Sequence, residues 1–158
     1  MHEENLEKVL ISEIHNLIVV DPTIIKKDTC INEIMSAIVS DTRSRHAYIT
    51  DEDGKLIGSI RTNHIIQYLF PTIFLKENNL MQISSFLEFS NAKTAEDIMN
   101  KNPNYVFEHT SIQRLIEIMI SEKINELPIV DKDLKLIGEV NVMEIIAKKL
   151  AMEIGESA

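Results

Sequence analysis

Residues 51–64 read DEDGKLIGSIRTNH, and residues 131–144 read DKDLKLIGEVNVME. The two stretches share two aspartates and the run Lys-Leu-Ile-Gly at an offset of 80 positions (131 − 51). Just upstream, HAYIT (46–50) faces ELPIV (126–130). At an offset of 81 (102 − 21), DPTIIKKDTCINEI (21–34) aligns with NPNYVFEHTSIQRL (102–115), sharing a proline, a threonine and an isoleucine. Self-similarity at a near-constant spacing marks a duplicated supersecondary unit, so the chain must build one motif twice.

Each copy shows the same order of elements. After Pro22 or Pro103 comes a short apolar stretch, Ile24-Ile25 or Tyr105-Val106-Phe107, that predicts a brief strand. A helical period follows: Ile31, Ile34, Met35, Ile38 in one copy and Ile112, Leu115, Ile116, Met119 in the other. Two strands then flank a turn, DEDG or DKDL, which is a hairpin signal. A second helix carries Ile65, Ile66, Leu69 or Val142, Ile145, Ile146, Leu150. The fold class is mixed α/β, with two β-α-β-β-α repeats. The spacing divides the chain into an N-terminal helix (1–19), repeat 1 (20–69), a helical connector (70–93) and repeat 2 (94–154).

Two segments lie outside the repeats. Leu6, Val9, Leu10, Ile14, Leu17 and Ile18 share one helical face. The connector holds Phe70, Phe74, Phe86 and Phe89, four of the five phenylalanines. A helix around 79–89 is expected there, either covering the core or forming a subunit contact.

Composition narrows the function classes. At 44% hydrophobic, the 158 residues can fill a core. A net charge of −9 repels phosphate backbones and anionic lipid heads, so a nucleic-acid or membrane-surface role is disfavoured. No segment approaches the roughly 20 apolar residues of a membrane span, the start lacks a secretory signal, and the single cysteine suits a reducing compartment. A cytoplasmic protein without membrane insertion is expected. Cys30 falls on an apolar helical face and is expected to be a buried thiol. With four glycines there is no glycine-rich phosphate loop, the histidines lack zinc-site spacing, and no nucleophile has a base and an orienting partner. No catalytic residue and no metal are expected.

The words TAEDIM (94–99), NELPIVDKDLKLIGEVNVMEII (125–146) and YITDEDGKLIGSI (48–60) resemble a tandem pair of cystathionine-β-synthase (CBS) domains, a Bateman module, here of the stand-alone bacterial type. The resemblance implies two repeats packed about a pseudo-twofold axis, with ligand clefts between them. It implies an adenosine ligand such as AMP, ADP, ATP or S-adenosylmethionine, a homodimer, and control of a separate effector protein, an enzyme or a transporter. It implies a regulatory module without chemistry of its own. The alternative is a ligand-free interaction module that associates through its connector.

In nucleotide-binding relatives the repeat glycine precedes a pattern G-h-h-T-x-x-D, whose threonine contacts phosphate and whose aspartate holds the ribose. Here the threonine slot is Arg61 or Asn141 and the aspartate slot is His64 or Glu144, so both copies depart from the pattern. Asn141 and Glu144 form a capping-box pair at a helix start, or contact ligand, or do both. Arg61 near the positive end of a helix is disfavoured as structure and strengthens an anion site, with Thr62 as a second cap candidate. The hairpin brings Arg45 and His46 beside Arg61, with Arg43 and His64 nearby. The matching end of the other copy presents Glu126, Glu139, Asn141 and Glu144. One end is therefore cationic and the other acidic, and a phosphate-bearing ligand is expected at the first. The competing reading pairs Arg43 and Arg45 with carboxylates across an interface. Ile24 and Tyr105 either flank a base or belong to the core.

Overall fold

The computed structural model describes residues 5–17, 21–76 and 80–156. They form two compact units: a first unit over Thr23–Pro103, and a second from the described parts of Met1–Pro22 and Asn104–Ala158.

In the first unit, β1 (Ile24–Ile25) pairs in parallel with β2 (His46–Thr50), which pairs antiparallel with β3 (Leu56–Arg61). Helix α1 (Ile31–Ser40) makes the parallel crossover between β1 and β2 and α2 (Thr62–Leu69) follows β3, so the β-α-β-β-α order is present. Side chains alternate across the hairpin. Ala47, Ile49 and Ile60 enter the core with Ile31 and Ile34, while His46, Tyr48, Ser59 and Arg61 occupy the opposite face. Full burial of an isoleucine such as Ile34 stabilises the fold by about 1.5–3 kcal/mol.

The second unit repeats the scheme with a shorter first strand. Val106 makes a single parallel bridge to Ile129. Helix α5 (Ile112–Glu122), β4 (Glu126–Val130), β5 (Leu136–Asn141) and α6 (Val142–Glu156) follow, with β4 and β5 antiparallel. Leu127, Ile129 and Val140 point into a core shared with Leu115 and Met119.

Both hairpin turns are tied by an aspartate. Asp51 Oδ1 accepts from the Asp53 and Lys55 N–H groups, and Asp131 Oδ1 accepts from those of Asp133 and Lys135. The turn places its fourth residue in the left-handed region, at φ 81° for Gly54 and 62° for Leu134. Glycine takes that conformation without steric cost, whereas leucine is strained there.

The segment before each repeat is held by backbone hydrogen bonds. In the second unit, Ile11 N–H donates to Thr110 O (2.9 Å), Ser12 N–H to Glu108 O (2.8 Å) and Ile112 N–H to Val9 O (2.8 Å). In the first, Ala95 N–H donates to Thr29 O (2.9 Å), Glu96 N–H to Lys27 O (2.9 Å) and Ile31 N–H to Lys93 O (3.2 Å). Thus LISEI (10–14) is the counterpart of TAEDI (94–98), where α4 (Ala95–Ile98) forms. Residues 94–103, which the sequence reading groups with repeat 2, lie in the first unit.

The same bonds explain why the N-terminal helix expected from the sequence does not form over the described residues 5–17. Val9, Ile11 and Ile14 are buried as the period predicts, but the backbone forms only 3₁₀ turns at Leu6–Lys8 and Ile11–Glu13. Its polar groups at 9, 11 and 12 are already committed to residues 108–112, so an uninterrupted α-helical ladder does not form. Leu17 is exposed, and Ile18 lies outside the described residues.

The connector forms a 3₁₀ stretch, Pro71–Lys76, and α3 (Leu80–Ser90), close to the helix expected at 79–89. Phe89 packs against the core of the first unit, whereas Phe70, Ile73, Ile83 and Leu87 are exposed. The side chain of Phe74 lies outside the described residues. Cys30 is not buried as expected. It is the exposed N-cap residue of α1, one position ahead of the buried helical face.

The repeated glycine has unequal duties. A Cβ on Gly58 would lie 2.5 Å from Met99 Sδ and 3.3 Å from Asn100 O, whereas on Gly138 it would meet Ile129 Cδ1 at 3.5 Å and His15 Nδ1 at 3.6 Å. Gly58→Ala should therefore cost about 1–3 kcal/mol by overpacking, and Gly138→Ala less than about 1 kcal/mol. Urea unfolding of the two variants checks this, and equal losses would contradict it. Leu134→Gly should stabilise by about 0.5–1 kcal/mol by relieving the left-handed leucine, read in the same assay.

Candidate functional site

In both units a strand passes directly into a helix, and the side chains at the junction are the candidate site. The hairpin register brings the expected residues together: His46 lies opposite Arg61, and Glu126 opposite Asn141. The backbone closes both junctions alike. Thr62 N–H donates to Arg45 O (3.2 Å) and Val142 N–H to Asn125 O (2.9 Å).

In the second unit, Asn141 Oδ1 accepts from the N–H groups of Met143 (2.9 Å) and Glu144 (3.3 Å). Glu144 Oε2 accepts from Asn141 N–H (3.0 Å). This is the reciprocal capping box, and it answers the N-terminal donors of α6. Glu126, Glu139, Asn141 and Glu144 are all buried, and Asn141 Nδ2 has no hydrogen-bond partner among the described residues.

In the first unit, Arg61 is the N-cap residue of α2, with extended backbone (φ −98°, ψ 158°). Its guanidinium has no acceptor atom and so cannot cap. The other half of the box is present, because His64 Nδ1 receives the Arg61 N–H at 3.3 Å. His64 thus takes the structural place of Glu144, a role that the sequence hid because capping boxes are read from glutamate or glutamine at that position. The His64 ring lies 6.5 Å from that of Phe89, on the connector helix. Burial, then the charge of Arg61, then that of His46, lowers the His64 pKa from 6.5 to about 4.

The remaining expected residues divide. His46 is buried and stacks on Tyr48, with ring centres 5.7 Å apart. Arg45 is exposed and Thr62 is half-buried as the first residue of α2. The Arg61 side chain has no carboxylate partner among the described residues. Arg43 is drawn out of the expected arginine cluster: its Nε donates to Asp41 Oδ1 (2.9 Å) and its Nη2 to Asp41 Oδ2 (3.1 Å). That fork, the largest cause, holds the Asp41 carboxyl below its usual range. The ion pair is local, between residues two positions apart. Ile24 and Tyr105 are exposed, at 52% and 41%, which removes the core reading for both. Tyr105 packs edge-on to Phe107, which stacks on His109.

Sequence reasoning passed over His15. Its Nε2 lies 3.1 Å from Glu108 Oε1, while its Nδ1 is buried without a hydrogen-bond partner among the described residues. A histidine in a lead-in segment carries no spacing signal that would single it out. Among the described residues, no group of three or more His, Cys, Asp or Glu side chains converges for a metal, and no helix is long and apolar enough to cross a membrane.

The depressed His64 pKa has a definite linkage sign. The unfolded chain binds a proton below about 6.5, and the folded chain only near 4, so stability falls as pH drops through that window. His64→Gln keeps an oxygen acceptor for the Arg61 N–H but does not titrate. Thermal melts between pH 7 and pH 4 should show wild type losing more stability than His64→Gln. Parallel curves would remove the assignment.

The CBS domain family profile matches residues 11–71 and 95–150. The chain is 23% identical over 145 residues to the chloroplastic CBS domain-containing protein CBSX1 of Arabidopsis thaliana, covering 84% of this chain and 61% of that protein. It is 30% identical over 146 residues to the inosine-5'-monophosphate dehydrogenase of Aquifex aeolicus, covering 92% of this chain but 26% of that enzyme. Among solved structures, a CBS domain-containing protein from Thermotoga maritima matches with TM-score 0.70 at 27% identity, covering 89% of this chain and 94% of that one. CBSX2 in complex with AMP matches with TM-score 0.76 at 16% identity, covering 90% and 97%, which bears on fold alone. The CBS domain pair of protein MJ0100, in complex with 5'-methylthioadenosine and S-adenosyl-L-methionine, matches with TM-score 0.69 at 23% identity, covering 89% and 98%. With two profile matches on two units of one architecture, the chain belongs to the CBS domain family as a tandem pair.

Proposed function

We propose that the protein is a cytoplasmic, non-catalytic regulatory module that binds an adenine nucleotide or a related anionic ligand and signals through dimer geometry or a separate effector protein. The observation that carries this reading is the cationic strand-to-helix junction of the first unit. Arg61, without a carboxylate partner among the described residues, stands at the N-terminus of α2 beside His46 and His64, in a chain of net charge −9. Free N–H groups and a helix dipole favour an anion there, and the guanidinium adds charge-assisted donors. Ile24, Arg45 and Thr62 belong to the same proposed ligand set, as do Tyr105, Glu126, Asn141 and Glu144 in the second unit. The neighbours that hold AMP, or 5'-methylthioadenosine and S-adenosyl-L-methionine, support the ligand class.

Matching helix positions support the homodimer. Ile66 and Phe70 at the end of the first repeat, and Ile146 and Leu150 on α6, are all exposed apolar residues. The interaction-module reading draws on the connector: no charged residue occurs from Thr62 to Leu75, and Leu69, Phe70, Ile73, Ile83 and Leu87 are exposed.

Binding and no binding separate the two readings. AMP, ADP, ATP or S-adenosylmethionine should raise the melting temperature by mass action. In calorimetry, Arg61→Ala should weaken binding of the phosphate-bearing ligand by about tenfold or more. An unchanged melting temperature across the panel favours the interaction module, and equal isotherms for both proteins remove Arg61 from the site.

A further inference from the structure

The residue three positions into each helix divides its side chain between two tasks. One atom answers the N-cap N–H, and the rest of the side chain decides what hydrogen-bond polarity it brings to the junction. Glu144 gives Oε2 to the Asn141 N–H, the acceptor role of a carboxylate oxygen. His64 gives Nδ1 to the Arg61 N–H. A neutral imidazole that accepts at Nδ1 carries its hydrogen on Nε2, so its remaining polar atom is a donor. No acceptor for that Nε2–H is present among the described residues. Arg61 likewise offers donors only.

Resting on the ligand site proposed above, we infer that His64 is a specificity-determining residue: the cap fixes its tautomer as a donor, and together with the Arg61 charge it favours a group at the first unit's junction that accepts hydrogen bonds and is negatively charged. The phosphate of a nucleotide has that chemistry. A ribose hydroxyl can accept from the same imidazole N–H but carries no charge for Arg61 to match, so it gains less. The surroundings hold the tautomer in place. Burial and the neighbouring Arg61 and His46 keep the ring neutral well below physiological pH. Doubly protonated imidazole, which has no acceptor for the cap, is thereby avoided.

AMP and adenosine, titrated by calorimetry at pH 7.5 into wild type, His64→Gln and His64→Asp, separate the possibilities. Glutamine keeps a cap acceptor and an outward donor. Aspartate can still cap, as Asp97 does by accepting from the N–H groups of Lys93 and Thr94, but it turns an acceptor outward. Wild type and His64→Gln should both bind AMP more tightly than adenosine, by about tenfold or more, and His64→Asp should narrow that ratio by about tenfold. Thermal melts confirm that each variant is folded, and His64→Glu, with the side chain of the other unit, serves if His64→Asp does not fold. A carboxylate variant with the wild-type ratio, or a collapse of the ratio in His64→Gln, overturns the inference while leaving nucleotide binding intact. Failure of wild type to bind either compound overturns both this inference and the ligand-binding function.

Discussion

At Arg61–Thr62 and Asn141–Val142 a strand becomes a helix with no residue between them. The N-cap N–H of each junction is therefore left beyond the reach of the helical ladder, and a side chain three residues on must answer it. That requirement selects which side chains stand at the junction, how each is oriented and which atom remains for a ligand. Asn141 and Glu144 meet it reciprocally. Arg61 and His64 meet half of it, because an arginine side chain can accept nothing. The weaker cap leaves the first unit with a guanidinium and an imidazole hydrogen that have no carboxylate or other acceptor among the described residues.

Much of the scaffold was readable because local rules determine it. Alternation over HAYIT and LIGSIR, with an Asp-tied turn between them, sets a register that puts His46 opposite Arg61. The helical period likewise identified Ile31, Ile34, Leu115 and Met119 as core. What could not be read was the partner of each lead-in segment. LISEI and TAEDI share almost no letters, and what makes them equivalent is the backbone bonding to residues 108–112 and 27–31. Such bonds leave no residue-type signature. They also overrode an amphipathic pattern that, judged alone, promised a helix over residues 4–18.

The meeting of His46 with Arg61 was legible in the sequence, and the roles of the junction residues less so. Charge counting gathered three arginines, but Arg43 had an acid two residues away, and a local fork costs less ordering than a distant pair. Cys30 was misjudged because one position decides between the cap and the buried face of a helix. His64 was found as a candidate ligand contact and missed as a cap. Histidine can supply one acceptor just as glutamate does, but only in one tautomer, and a sequence does not display tautomers.

The duplication explains how the two junctions could diverge without loss of the fold. The residues that hold each hairpin in its core, Ala47, Ile49 and Ile60 or Leu127, Ile129 and Val140, alternate with those that do not. Substitutions on the other face alter charge and hydrogen-bond polarity without replacing those core side chains. The limit on that freedom is the cap: whatever occupies the third helical position must keep an acceptor for the N-cap N–H. Glutamate and histidine both satisfy it, yet a carboxylate only accepts, whereas a neutral imidazole that accepts at Nδ1 also donates at Nε2. A single backbone hydrogen bond, present in both repeats, is thus compatible with two chemically different side chains at the third helical position.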